Sequence, residues 1–136
     1  MNRQSGSTLL EVLVAVVILA FGLLGLAGLQ TTSVKSNHSA YLRSQASLLA
    51  YDMADRMRTT RSAAEAGRYD EGSEHVERTT WDQAIARTLG AGSSGTVARN
   101  GNFATITITW NDNRGRIRQS DAADIAAQSF VYETEF

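Results

Sequence analysis

"SGSTLLEVLVAVVILAFGLLGLAGLQ", residues 5–30, holds a single carboxylate, Glu11, at the start of an otherwise apolar run. From Val12 to Leu29 every residue is apolar or glycine. No charge follows until Lys35, so 23 consecutive residues, Val12 to Val34, are uncharged. In a helix rising about 1.5 Å per residue that run spans about 35 Å, enough to cross a hydrocarbon core of about 30 Å. The reading of the whole chain turns on why a segment built to leave water carries a glutamate near its start.

Three readings compete. A cleaved secretory signal would use Gly25-Leu26-Ala27 as its small-x-small site, but the apolar region is too long and the charged start is reduced to Arg3 and the amino terminus. An ordinary membrane anchor tolerates Glu11 only near the headgroups, because an acidic group deep in a membrane helix costs about 2.5 to 3.5 kcal/mol. The third is a family resemblance. A short hydrophilic leader ending in Gly6, an apolar helix, and a glutamate at the fifth position counted from Ser7 together resemble the class III signal of type IV prepilins.

The resemblance implies cleavage between Gly6 and Ser7 by a prepilin peptidase and methylation of the new Ser7 amine. The family usually has phenylalanine or methionine where this chain has Ser7. "ILAFGLLGLAGLQ" looks like the PilV minor pilins, whose helix often runs on with a glycine-leucine repeat ending in glutamine. Type II secretion pseudopilins share the leader and the "LLEVLVA" start. The resemblance also implies an inner-membrane protein with a cytoplasmic N-terminus and a periplasmic head, later taken into a pilus. Its partners would be the major pilin, other minor pilins and the inner-membrane assembly platform, in support of twitching motility or adhesion.

Glu11 then has two candidate partners. In a low dielectric a paired charge costs far less than an unpaired one, so Glu11 facing the Ser7 amine of a neighbouring subunit would set an axial register. Within one chain the same two groups lie about one helical turn apart, and a carboxylate in the first turn suits the helix dipole. Gly22, Gly25 and Gly28 each cost about 1 kcal/mol against alanine in a helix in water. Spaced by three, they form a drifting stripe where another helix can approach closely, or they loosen the helix locally. Many major pilins have a proline near the position of Gly28; this chain of 136 residues has none.

Beyond the apolar run roughly 100 residues remain, enough for one small domain. The expected organisation is a leader at 1–6, a membrane or filament-core half-helix at 7–33, and a soluble head at 34–136. Net charge is −1, so no global field selects nucleic acid. The chain lacks cysteine, which excludes disulfides, thiolate metal sites and cysteine nucleophiles.

After Leu29 the helix turns one-sided. Leu42, Ala46, Leu49, Met53 and Met57 are spaced as the stripe of an amphipathic helix running to about residue 60. Its polar side carries Asp52 and Arg56 at i, i+4, with Arg56, Arg58 and Arg61 near the C-terminal end, where cations suit the dipole. Without interleaved aromatics the arginines read as a solvated face and not as a nucleic-acid site.

Residues 62–79 read as a polar surface loop. Asp70, Glu71, Glu74, His75 and Glu77 there lack metal-ligand spacing. "TWDQAIARTLG" reads as a helix capped by Thr80 with Gln83, burying Trp81, Ile85 and Leu89 and ended by Gly90. Asn100-Gly101 signals a hairpin, and Ala104, Ile106, Ile108 and Trp110 alternate with threonines as a half-buried strand. "NDNRG" reads as a second turn, not a calcium loop, and "RIRQ" as an edge strand with Ile117 inward and Arg116 and Arg118 outward. "SDAADIAAQ" reads as a helical turn or loop. "SFVYETEF" puts Phe130, Tyr132, Thr134 and Phe136 on one face of a closing strand.

The expected fold is α+β and pilin-like: a long N-terminal α-helix, membrane-spanning and then amphipathic, packed on a small antiparallel sheet. Two histidines, His38 and His75, and no glycine-rich phosphate motif give little for catalysis, so neither an enzyme nor a cofactor is expected. The remaining classes are a filament subunit and an anchored binding module that does not polymerise.

Overall fold

A computed structural model describes residues 5–112 and 127–136, with side chains from Thr8 onward. The elements are α1 (Ser5–Thr59), α2 (Arg61–Glu65), α3 (Val76–Leu89), β1 (Ser94–Asn100), β2 (Phe103–Asn111) and β3 (Ala127–Glu135). The strands form one antiparallel sheet in the order β1-β2-β3, with Gly95 opposite Ile108 and Ile106 opposite Tyr132. This is the expected α+β arrangement of a long helix packed on a small sheet.

The 55 residues of α1 run without a break through the change from all-round apolar to one-sided. Leu42, Ala46, Met53 and Met57 are buried as the stripe requires, joined by Ala50 and Ala54, and Leu49 is partly buried against them. Small alanines between the larger side chains let the sheet and α3 sit close to the helix. From β2 come Ala104, Ile106, Ile108 and Trp110, from α3 Trp81, Ile85 and Leu89, and from the C-terminal stretch Phe136, all buried in the same core. The threonines between the buried β2 residues are half-exposed on the outer face.

The helix ends where Thr60 turns its hydroxyl onto the Arg56 carbonyl at 2.8 Å. Arg58 ties this end to β3. Its Nε donates to the Glu135 carbonyl at 3.3 Å, and its Nη2 donates to the Thr134 hydroxyl. Asp52 and Arg56 pair at 3.0 Å as their spacing predicts, an exposed contact worth little in stability.

Three expectations need correction. Part of the expected loop is helical: α2 covers Arg61–Glu65, and α3 begins at Val76 rather than after Thr80. His75, in an extended conformation, is the N-cap, and the Thr80 hydroxyl bonds back to the Val76 carbonyl at 2.6 Å from inside the helix. The hairpin turn is shifted by one residue. Asn100 pairs with Phe103, leaving Gly101-Asn102 as the loop. Gly101 has φ +59° and no non-glycine residue among those described, Asn102 included, has positive φ, which matches a type II′ turn with glycine first and not a type I′ turn. Most of the turn at "NDNRG", the strand at "RIRQ" with Arg116, Ile117 and Arg118, and most of "SDAADIAAQ" lie outside the described residues.

Tyr69 locks the segment between α2 and α3. It is fully buried, its hydroxyl meets that of Thr60 at 2.6 Å, and it donates to Glu77 Oε2 at 2.5 Å. Burial first, then the bond to Glu77, raises its pKa above the ordinary tyrosine value of about 10. A raised pKa favours the neutral phenol in the folded state, so this stabilisation is complete below about pH 10 and is lost as pH climbs through the folded value. Tyr69→Phe is expected to cost about 1 kcal/mol at neutral pH. Urea midpoints measured at neutral and alkaline pH check this: the gap between variant and parent will narrow above about pH 10.

Candidate functional site on the exposed half of α1

Every residue from Thr8 to Thr31 is exposed. By length and composition α1 is the one helix among the described residues able to cross a membrane. Apolar side chains such as Leu10, Leu13, Ile18, Phe21 and Leu24 are 59 to 70 % exposed. A helix apolar all round has to be covered by lipid or by other helices.

Gly6 and Ser7 lie in the first turn of α1, and Glu11 follows four residues after Ser7, about 6 Å along the axis. The chain thus brings Ser7 and Glu11 onto one helix at a one-turn separation. Gly22, Gly25 and Gly28 fall on the same continuous helix, and a Cβ added at any of them would find nothing within 4 Å. They leave room that the chain's own head does not fill. Just beyond them Thr31 and Thr32 bond back to the carbonyls of Ala27 and Gly28 at 3.0 and 3.2 Å, satisfying their hydroxyls within the helix at the edge of the apolar run.

Three of the polar candidates of the head, Asp70, His75 and Glu77, have structural partners. Asp70 receives Arg99 at 2.5 and 2.6 Å, Glu77 accepts from Tyr69, and His75 caps α3. Among the described residues no three or more His, Asp or Glu side chains gather to hold a metal. Arg61, grouped by sequence with Arg56 and Arg58, stands on α2 and pairs with Glu65 at 3.1 Å. His38 lines a groove with Leu42 and the turn after α3. Trp81 anchors α3 to α1 as expected, its Nε1 donating to the Leu49 carbonyl at 2.8 Å.

Sequence reasoning missed Arg78, which sits in the region read as a loop. It is 3 % exposed and donates to the Tyr69 and Gly95 carbonyls at 2.8 and 2.6 Å and to Asp82 at 3.0 Å. Its guanidinium lies 5.1 Å from the centre of the Trp81 ring. The Arg78–Asp82 spacing of four was the only local trace of it.

Residues 1–27 match the family model of the prokaryotic N-terminal methylation motif. Comparison with curated proteins and with solved structures gave no match. The methylation motif is the class III prepilin signal. It implies processing by a prepilin peptidase and association with membrane and pilus, in a family whose members are generally structural and non-catalytic. The motif on a long exposed apolar helix, with a small antiparallel head packed on its far half, supports a place in the type IV pilin superfamily, as a pilin-like or pseudopilin protein.

Proposed function

We propose that the chain is a minor pilin of a type IV pilus, a non-catalytic subunit that helps start assembly at the inner membrane and enters the filament through α1. The observation that carries this reading is Glu11, the one carboxylate in the exposed apolar half of α1, placed one turn after Gly6 and Ser7 within the matched motif. In this reading residues 1–6 are a leader removed before Ser7, 7–33 anchor and later form filament core, and 34–136 are the periplasmic head. Glu11 meets the Ser7 amine of a neighbouring subunit and sets its register, and the Gly22, Gly25 and Gly28 stripe lets a neighbouring helix approach. The other partners are the major pilin, further minor pilins and the assembly platform.

A type II secretion pseudopilin is the second reading, because the two groups share the leader and the "LLEVLVA" start. A pull-down against the two machineries separates them. A membrane-anchored binding module that never polymerises is the third, and cross-links between α1 and the helices of other pilins would exclude it.

Mass spectrometry of the mature N-terminus tests the common core of the first two readings. The expected product begins at a methylated Ser7; an intact Met1 or a cut after Ala27 would overturn it. Glu11→Ala is expected to leave membrane insertion unchanged and to lower incorporation into filaments at least about ten-fold, the effect of roughly 1.4 kcal/mol lost from a low-dielectric pair. Normal incorporation would remove the register role.

A further inference from the structure

Charge is sorted along the head. At its far end, around the C-terminus of α1 and the start of α3, five carboxylates each hold an arginine: Asp52 with Arg56, Asp55 with Arg58, Glu65 with Arg61, Asp70 with Arg99, and Asp82 with Arg78. Arg68 there is in no ion pair among the described residues, and the end next to the apolar run differs in having no exposed carboxylate among them. Lys35 and Arg43 on α1 and Arg87 near the end of α3 are in no ion pair among the described residues. Arg87 has only a 3.5 Å contact with Gln83. Between Glu11 and Asp52 the sequence has no acidic residue. Among the described residues the carboxylate at this end is Asp112, buried at 6 % exposure.

The fold brings Arg87 back beside α1 from a distant part of the chain. Arg87, Thr88, Leu89, Gly90 and Ala91 turn back beside α1 and, with His38 and Leu42, line a groove of about 480 Å³. Lys35 stands about 9 Å along the axis beyond Leu29, and His38 about 13 Å. The polar layer on each side of a bilayer is about 5 to 8 Å thick, and charge is felt about 8 Å further at physiological salt. With side chains long enough to reach down, Lys35 and Arg87, the latter beside His38, fall within the field of the headgroups, whereas Arg43 stands about 21 Å beyond Leu29 and lies outside it.

We propose that this end of the head docks on anionic phospholipid headgroups, with Lys35 and Arg87 facing the lipid phosphates. The inference rests on α1 being a membrane anchor. Because head and anchor share one helix, docking tilts α1 until the turn after α3 meets the surface, giving the head a fixed orientation on an anionic bilayer.

The chain lacks cysteine, so one introduced thiol labels one site. The full chain, carrying Ala91→Cys with a fluorophore, is placed in nanodiscs of phosphatidylcholine with or without phosphatidylglycerol, each containing a headgroup nitroxide lipid as quencher. Quenching is expected to rise with phosphatidylglycerol and to fall back in high salt. A label at Glu71→Cys, at the far end, is expected to stay unquenched. Lys35→Gln and Arg87→Gln should each lower the docked-to-undocked ratio about five-fold. Entry into the discs with equal quenching in both compositions would overturn the docking while leaving the anchor in place. Failure to enter either disc would overturn the anchored reading and the docking with it.

Discussion

Arg78→Ala will destabilise the head by about 3 to 5 kcal/mol, a large part of the 5 to 15 kcal/mol that holds a small domain folded. Arg78 bridges the segment before α3, through the Tyr69 carbonyl, and β1, through the Gly95 carbonyl, while its plane lies over Trp81. Alanine takes away a buried hydrogen-bonded charge and leaves both carbonyls without that donor, each costing about 1 to 3 kcal/mol where water cannot replace it. Asp82 is 45 % exposed at its side chain and will be rescued by solvent, so its share is small. Urea unfolding in detergent, followed by the emission of the buried Trp81 and Trp110, measures the loss. Arg78→Lys should fall between parent and alanine, because a single ammonium cannot reproduce the fork that reaches two carbonyls and a carboxylate. A loss below about 1 kcal/mol for Arg78→Ala would show that the bridge is dispensable.

Gly95→Ala will cost about 3 kcal/mol, the upper end of the usual range for forcing extra volume into a packed core. Gly95 is buried in β1 without positive φ, so the requirement for glycine there is space and not backbone conformation. A Cβ at this position would overlap the far edge of the Trp81 ring and the Ile85 Cδ1 atom. The ring has little room to yield: its Nε1 is held by the Leu49 carbonyl, and Arg78 covers its face. Trp81→Leu should free that volume, so the double variant with Gly95→Ala is expected to cost clearly less than the sum of the two single losses. Additive losses would mean the clash is relieved elsewhere.

Both residues explain what was and was not legible in the sequence. The stripe from Leu42 to Met57 and the alternation from Ala104 to Trp110 were readable because helix and strand periods are local, and the structure buries those residues accordingly. The ends of elements were harder. Thr80 carries a capping side chain at a plausible position, yet α3 starts earlier, where Val76 and Glu77 continue a helix capped by His75 and joined to Tyr69. The hairpin was found but placed one residue early, since glycine next to asparagine serves either turn and only strand register chooses between them.

The functional half divides in the same way. The apolar run, Glu11 and the matched motif are contiguous, so the candidate site for anchoring and assembly could be read directly from residues 1–30. The basic end of the head could not. Lys35 and Arg43 precede Arg87 by more than forty residues, and each alone reads as an ordinary solvated charge.

By itself the sequence determined the long helix, its change from all-round to one-sided apolarity, the sheet's inward face and the prepilin-like start, because each depends on neighbours within a few residues. Only the tertiary structure decided that an arginine from an apparent loop lies in the core, that Gly95 must lack a side chain, and that Arg87 joins the cations of α1. Each of these rests on contacts between segments distant in sequence, where burial and the pairing of polar groups are settled by packing and leave no local period to read.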